Sequence, residues 1–225
     1  MLAYECGHRS PPHETCGRTL STTHSLTAEE LGSAAQRERR RRILDATIAL
    51  ASGGGFDAVQ MRAVAERADV ALGTLYRYFP SKIHLLVSAL ARELERVRAD
   101  LDRRPVPGDT PADRVMHVLG RTTRSLQRDP HLTEALTRAF MFADASVATE
   151  INVVGTQVVR MLTRAMREPG TVTAEEDAAP PELDVAVAKV IGDVWLASLV
   201  QWVTGRASPV DVSRSLDVAV RLLLR

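Results

Sequence analysis

The sequence predicts an all-α protein, and three observations carry that prediction. Capping side chains stand directly before proline at Thr110-Pro111, Asp129-Pro130 and Ser208-Pro209, where proline suits the first helical position. Apolar residues recur at helical spacing between Gly- and Pro-marked stops. No window shows sustained period-two alternation bounded by turns. With 225 residues, 45% of them apolar, the chain can bury a core of one or two compact domains.

Residues 1–31 mix Gly, Pro, Ser, Thr and His without an apolar period and read as a disordered extension. Both cysteines, Cys6 and Cys16, lie there, so the folded region does not depend on disulfides, in keeping with a reducing compartment. Together with His8 and His13 they offer four zinc ligands, but the spacing is too tight for the usual structural sites. We therefore expect no metal and no cofactor.

Ser33 and Gln36 form a capping box that opens a helix over 33–52. Ile43, Leu44, Thr47, Ile48 and Leu50 give it an apolar stripe, and Gly53-Gly54-Gly55 stops it. Met61 to Ala68 supports a short second helix, Asp69-Val70 a turn, and Leu72 to Phe79 a third helix ended by Pro80. Ser81 caps a long fourth helix to about Arg104, with Ile83, Leu86, Val87, Leu90, Leu94, Val97 and Leu101 on one side. Pro105 to Gly108 closes this part of the chain. Five further helices follow, near 110–128, 129–142, 144–168, 181–204 and 208–224, with a mobile loop from Pro169 to Pro181. The expected division is an extension (1–31), a first unit (32–82), a connecting helix (83–104) and a second unit (105–225).

Charge separates the units. Residues 33–82 carry nine Arg or Lys against five Asp or Glu, whereas residues 83–225 carry eighteen against nineteen. A local basic excess points to a polyanionic partner for the first unit and to a different task for the second. Two short helices joined by a tight turn must pack against their neighbours, and Val64, Ala65, Ala68, Val70, Leu75 and Phe79 supply that face. Arg62, Arg67, Gly73, Thr74, Tyr76, Arg77 and Tyr78 are left to face outward, a set suited to a DNA major groove. The alternative, that Tyr76 and Tyr78 are core aromatics, is weaker for Tyr78 because Phe79 already fills the adjacent slot.

These residues carry a family resemblance. Arg41 to Ala46, Gly54-Gly55-Phe56, Met61 to Ala65, and above all Gly73-Thr74-Leu75-Tyr76-Arg77-Tyr78-Phe79-Pro80-Ser81-Lys82 resemble the amino-terminal domain of TetR-family repressors, over about residues 37–90. The resemblance implies a TetR-like helix-turn-helix followed by a helical ligand-binding and dimerisation domain. It implies that Arg62 reaches DNA, that Thr74, Tyr76 and Tyr78 touch bases or phosphates, and that Lys82 clamps a phosphate at the start of helix 4. Gln60 departs from the Ser or Thr that many members place before helix 2. Some of Arg37, Arg39, Arg40, Arg41 and Arg42 are expected on phosphates, Arg42 among the candidates.

A closer resemblance reaches the second unit. Ser33 to Arg40, Leu132 to Ala135, Phe142 to Ser146, Ile191 to Leu196 and Leu216 to Leu223 are similar to the actinobacterial members of this family that repress cholesterol catabolism. That likeness implies a CoA thioester of a cholesterol-derived acid as inducer. The phosphates of such a ligand need cations, and Arg114, Arg121, Arg124, Arg160 and Arg164 are available on the predicted pocket helices, the alternative being that all five are solvated. A regulator of efflux or other metabolism with a different lipophilic ligand is the alternative.

Read from its own residues, the second unit offers an adaptable apolar pocket lined by Met116, Leu119, Leu126, Phe140, Met141, Phe142 and Met161, with Asn152, Gln157 and the Trp195 indole as polar groups. The segment 181–204 is apolar nearly all round and needs cover. A second copy could supply it through Val187, Ile191, Val194, Trp202, Val212, Leu216, Val220 and Leu223, as a four-helix interface about a twofold axis. The alternative is a central helix buried in a monomer. The expected partners are thus a pseudo-palindromic double-stranded DNA operator, a second copy and a small-molecule inducer, with no membrane and a cytoplasmic location. No spacing fixes a metal or a nucleophile–base pair, so an enzyme is not expected.

Overall fold

The computed structural model describes residues 28–101, 103, 105–167 and 180–225, and the side chains from Ser33 onward. The expectations for residues 1–27 and for the 168–179 stretch lie outside the described residues. Nine α-helices are described, with no strand among these residues: α1 (Ala28–Ala58), α2 (Met61–Arg67), α3 (Leu72–Tyr78), α4 (Lys82–Leu101), α5 (Pro111–Gln127), α6 (Pro130–Met141), α7 (Ala148–Met166), α8 (Glu182–Val203) and α9 (Pro209–Leu223). A 3-10 turn, Ala145–Val147, precedes α7.

The proline-marked starts follow from their caps. The Thr110, Asp129 and Ser208 side chains each accept from the backbone amide three residues on, with proline in the first turn. At Ser208 the box is complete, because the Asp211 carboxylate accepts from the Ser208 amide in return. Ser33 is a correction. Helix α1 already runs through it, and its hydroxyl accepts from Arg37 as an ordinary i,i+4 contact at 2.7 Å. The glycine run breaks α1 at Gly54 and Gly55, and one more turn follows before the helix ends at Ala58.

Ile43, Leu44, Val64, Leu75, Phe79, Leu85 and Leu86 bury the junction of α1 to α4 almost completely. Beyond it, α4 packs on α7 and α6, α5 on α7 and α9, and α8 on α7 and α9. Helix α6 also lies along α1, so the second part of the chain touches the first directly. Arg114, 3% exposed, ties the far end: Nε donates to the Ala165 carbonyl at 3.0 Å and Nη2 to that of Met166 at 2.9 Å, closing the carboxyl end of α7. It is therefore not available to a ligand phosphate.

Candidate DNA-binding and effector sites

The α2–α3 turn is set by Asp69, which takes a positive φ of 52° that aspartate tolerates better than most residues. Arg42 holds this turn: its guanidinium donates to the Ala68 carbonyl at 3.0 Å and lies 3.9 Å from the Asp69 carboxylate. Arg42 thus braces the turn from inside while still lining a polar cleft with Arg39, Thr74, Arg77 and Tyr78. Arg62, Gly73, Tyr76 and Arg77 are exposed, Tyr76 at 46%, and Thr74 and Tyr78 are half-buried. Helix α2 starts at Gln60 without a side-chain cap, as that residue predicts. Of the other helix-1 arginines, Arg41 pairs with Glu38 and Asp45, and Arg40 lies over the Phe79 ring at 5.5 Å.

Lys82 opens α4, but its ammonium rests 3.8 Å from the centre of the Phe56 ring. Burial there pulls it below the ordinary lysine range, with Asp57 and Glu134 opposing the shift and Arg138 adding to it. The Arg138 guanidinium lies over the same ring at 4.5 Å and reaches Asp57 at 3.4 Å. The Glu134 carboxylate accepts from the Phe56 amide at 2.8 Å, and the Ser52 hydroxyl donates to Asp129 at 2.6 Å. None of these contacts was expected from sequence. The only signal for them is Gly54-Gly55-Phe56, which needs Gly55 at φ 69°: a Cβ there would stand 2.7 Å from Glu134 Oε2.

On the other side of α6 a cavity of about 300 Å³ opens between α4, α5, α6, α7 and α8. Its wall is mostly apolar, with Leu90, Leu94, Leu132, Leu136, Val154, Val158 and Leu199 prominent. Of the ten residues expected there, Leu126, Phe140 and Trp195 line it. Trp195 presents its ring only, because its indole N–H donates to the Thr123 hydroxyl at 3.0 Å. Leu119 and Met161 are core residues beside the cavity, and Met116 is half-buried against that core. Met141 and Phe142 are 55% and 68% exposed, since each step past Phe140 turns about 100° away from the cavity face. Asn152 faces solvent, and Gln157 accepts from Arg98 at 3.0 Å. Glu93, Asp129, Asp193 and Lys189 are the charged residues of its lining. Of the arginines considered for phosphates, Arg121 pairs with Asp100, and Arg124 and Arg160 are exposed.

The interface residues divide the same way. Ile191, Val212, Leu216 and Val220 are at most 1% exposed within one chain, because α8, which carries Ile191, packs on α7 and α9, and α9, which carries the other three, packs on α5 and α8. They have no surface left for a partner. Val187, Val194 and Trp202 remain half-buried and Leu223 is exposed. Leu183, Val190, Val210, Val218 and Leu222 are the other large apolar side chains that α8 and α9 leave open.

No helix among the described residues is long and apolar enough to cross a membrane, and no His, Cys, Asp and Glu cluster among them could hold a metal ion.

Comparison with known proteins places this geometry. Residues 43–89 match the family of bacterial regulatory proteins, tetR family, and residues 108–223 the tetracyclin repressor-like C-terminal domain. The chain is 58% identical to the HTH-type transcriptional repressor KstR of Mycolicibacterium smegmatis over 88% of its own length and 93% of that protein. Among solved structures, a TetR transcriptional regulator from Rhodococcus sp. RHA1 is 32% identical with a TM-score of 0.75, covering 84% of this chain and 97% of that one. The fold is also that of Thermus thermophilus FadR, a TetR-family repressor solved with lauroyl-CoA (TM-score 0.62, 22% identity, 82% and 93% covered).

Proposed function

This chain belongs to the TetR family of bacterial transcriptional regulators as a KstR-like repressor, and we propose that it controls cholesterol or lipid catabolism and is released from its operator by a steroid-derived acyl-CoA. The observation that carries this reading is the position of α6, which walls an apolar cavity on one face and grips the end of α1 on the other. A lipophilic body filling the cavity gains about 25 cal/mol per Å² of apolar surface, enough to bias a two-state arrangement by a few kcal/mol. The DNA-binding set is Arg62, Gly73, Thr74, Tyr76, Arg77, Tyr78 and Lys82, with Arg42 as brace and cleft wall. Two copies meet through the open faces of α8 and α9 and read a pseudo-palindromic operator. Its place of action is the cytoplasm, where such repressors meet DNA.

The charge of the lining favours a second reading. Glu93, Asp129 and Asp193 outnumber Lys189 there, which suits an uncharged lipophilic ligand better than one carrying phosphates. Footprinting on genomic DNA separates the two. The thioester should release the protein at lower concentration than the free acid or sterol, whereas equal potency, or release by none, removes the CoA assignment and leaves the repressor.

A further inference from the structure

We propose that Glu134 and Arg138 of α6 are positioning residues that set, through Phe56, where the Lys82 ammonium stands, so that the cavity and the grip on DNA sense one another. The inference rests on the reading of Lys82 as a phosphate contact. Helix α6 presents Leu132, Leu136 and Phe140 to the cavity and Glu134 and Arg138 to the end of α1. The Glu134 carboxylate fixes the Phe56 backbone at 2.8 Å, and Arg138 lies on the ring at 4.5 Å and on the neighbouring Asp57 at 3.4 Å. Lys82 then takes the same ring as its seat, at 3.8 Å.

A helix moves as a unit because its interior neighbours are close-packed. A ligand that displaces the cavity face of α6 therefore displaces the seat of Lys82. The Ser52–Asp129 hydrogen bond at the start of α6 makes a second tie to α1, so the displacement reaches the DNA side through the α1 turn. Lys82 can rest on Phe56 or turn to a phosphate, and α6 weights that choice. By linkage the converse holds: DNA that takes Lys82 from the ring must loosen or tighten α6.

That reciprocity gives a test without any inducer. Hydrogen–deuterium exchange is measured on the full-length protein over residues 130–141, with and without a duplex recovered by footprinting and with a scrambled duplex. The parent should show a several-fold change with the recovered duplex and none with the scrambled one. Glu134→Ala should lose that response, and Glu134→Gln, which keeps a carbonyl for the Phe56 amide, should restore it. Arg138→Met keeps the hydrocarbon stem over the ring and removes the charge; it should lose the response while the melting temperature holds, which also covers a poorly folding Glu134→Ala. An α6 indifferent to the duplex in the parent, or equally responsive in both Glu134→Ala and Arg138→Met, overturns the proposal. If the parent retains no duplex, the DNA-binding reading itself fails and takes this one with it.

Discussion

Lys82 and Phe56 come from helices on either side of the helix-turn-helix, and the ammonium of one lies 3.8 Å from the ring centre of the other. A cation seated on a ring keeps its charge without pairing it to a carboxylate. If Lys82 turns to a phosphate, as proposed, it displaces about one counterion. Lys82→Ala should therefore weaken binding to all duplexes and flatten the slope of log K against log salt by about one unit. Phe56→Leu should leave that slope intact and cost about 1 kcal/mol in urea unfolding. A salt series in which Lys82→Ala matches the parent would rule out the phosphate role.

Arg114 is nearly enclosed and donates to the Ala165, Met166 and Gly108 carbonyls. Its removal leaves carbonyls buried without donors, at about 1–3 kcal/mol each. Arg114→Met should lower unfolding free energy by at least about 3 kcal/mol, and Arg114→Lys should recover little, because an ammonium lacks the planar fork. Chemical denaturation measures both, and a near-neutral Arg114→Met would show that water replaces the guanidinium.

Charges on α8 and α9 should have two distinct outcomes. Val190 and Leu222 are 47% and 57% exposed, so Val190→Glu and Leu222→Glu should leave the fold intact and yield a monomer by sedimentation. Leu216 is 1% exposed, so Leu216→Glu should unfold the protomer itself, seen as lost helical circular dichroism. A dimeric Val190→Glu, Leu222→Glu double variant would move the interface off this face.

Local grammar accounts for what was legible. Pro111, Pro130 and Pro209 with their caps fix three helix starts to the residue, because capping and the missing proline amide are properties of neighbours in sequence. The capping-box pattern at Ser33 fails because the same residues also continue a helix, and nothing nearby stops α1 before Gly54. Apolar periodicity marks the inward side of α5, α7 and α9, yet it cannot distinguish Leu119, in the core, from Leu126, on the cavity, or a seam within one chain from one between two. The Phe56–Glu134 bond joins residues 78 apart and has no local signature at all. Only the Gly55 that makes room for it is visible in the sequence.

Asp211 gives α9 an acid-sensitive start. Hydrogen bonds from the Ser208 hydroxyl, then from the Ser208 amide, hold its carboxyl below the ordinary aspartate value of 3.8. A carboxyl more acidic when folded stabilises the fold above its unfolded pKa, and the contribution is lost as pH falls through the lower folded value. Asp211→Asn keeps an acceptor for Ser208 but cannot titrate. The difference in melting temperature between parent and Asp211→Asn should be constant near neutrality and shrink below about pH 4. A difference that does not vary down to about pH 2 would show that the box contributes nothing electrostatic.

The cavity can be closed from Gly155. This residue lines it from α7, and a Cβ added there meets nothing within 4 Å, whereas one at Gly192 would stand 3.3 Å from Val158 Cγ1. Gly155→Ala should therefore stabilise the protein by about 0.5–1 kcal/mol, as the unfolded chain loses freedom and the helix gains a better former. Gly192→Ala should gain less, because Val158 must give way. A larger side chain at Gly155 then competes with whatever the cavity takes. Gly155→Leu should keep the melting temperature of the parent and its affinity for the operator. It should also abolish the quenching of Trp195 fluorescence by a cholesterol-derived acyl-CoA or by the free sterol. Unchanged quenching in Gly155→Leu by a ligand that quenches the parent would place the ligand elsewhere. Quenching lost together with operator binding would instead mean that filling the cavity is itself enough to release DNA.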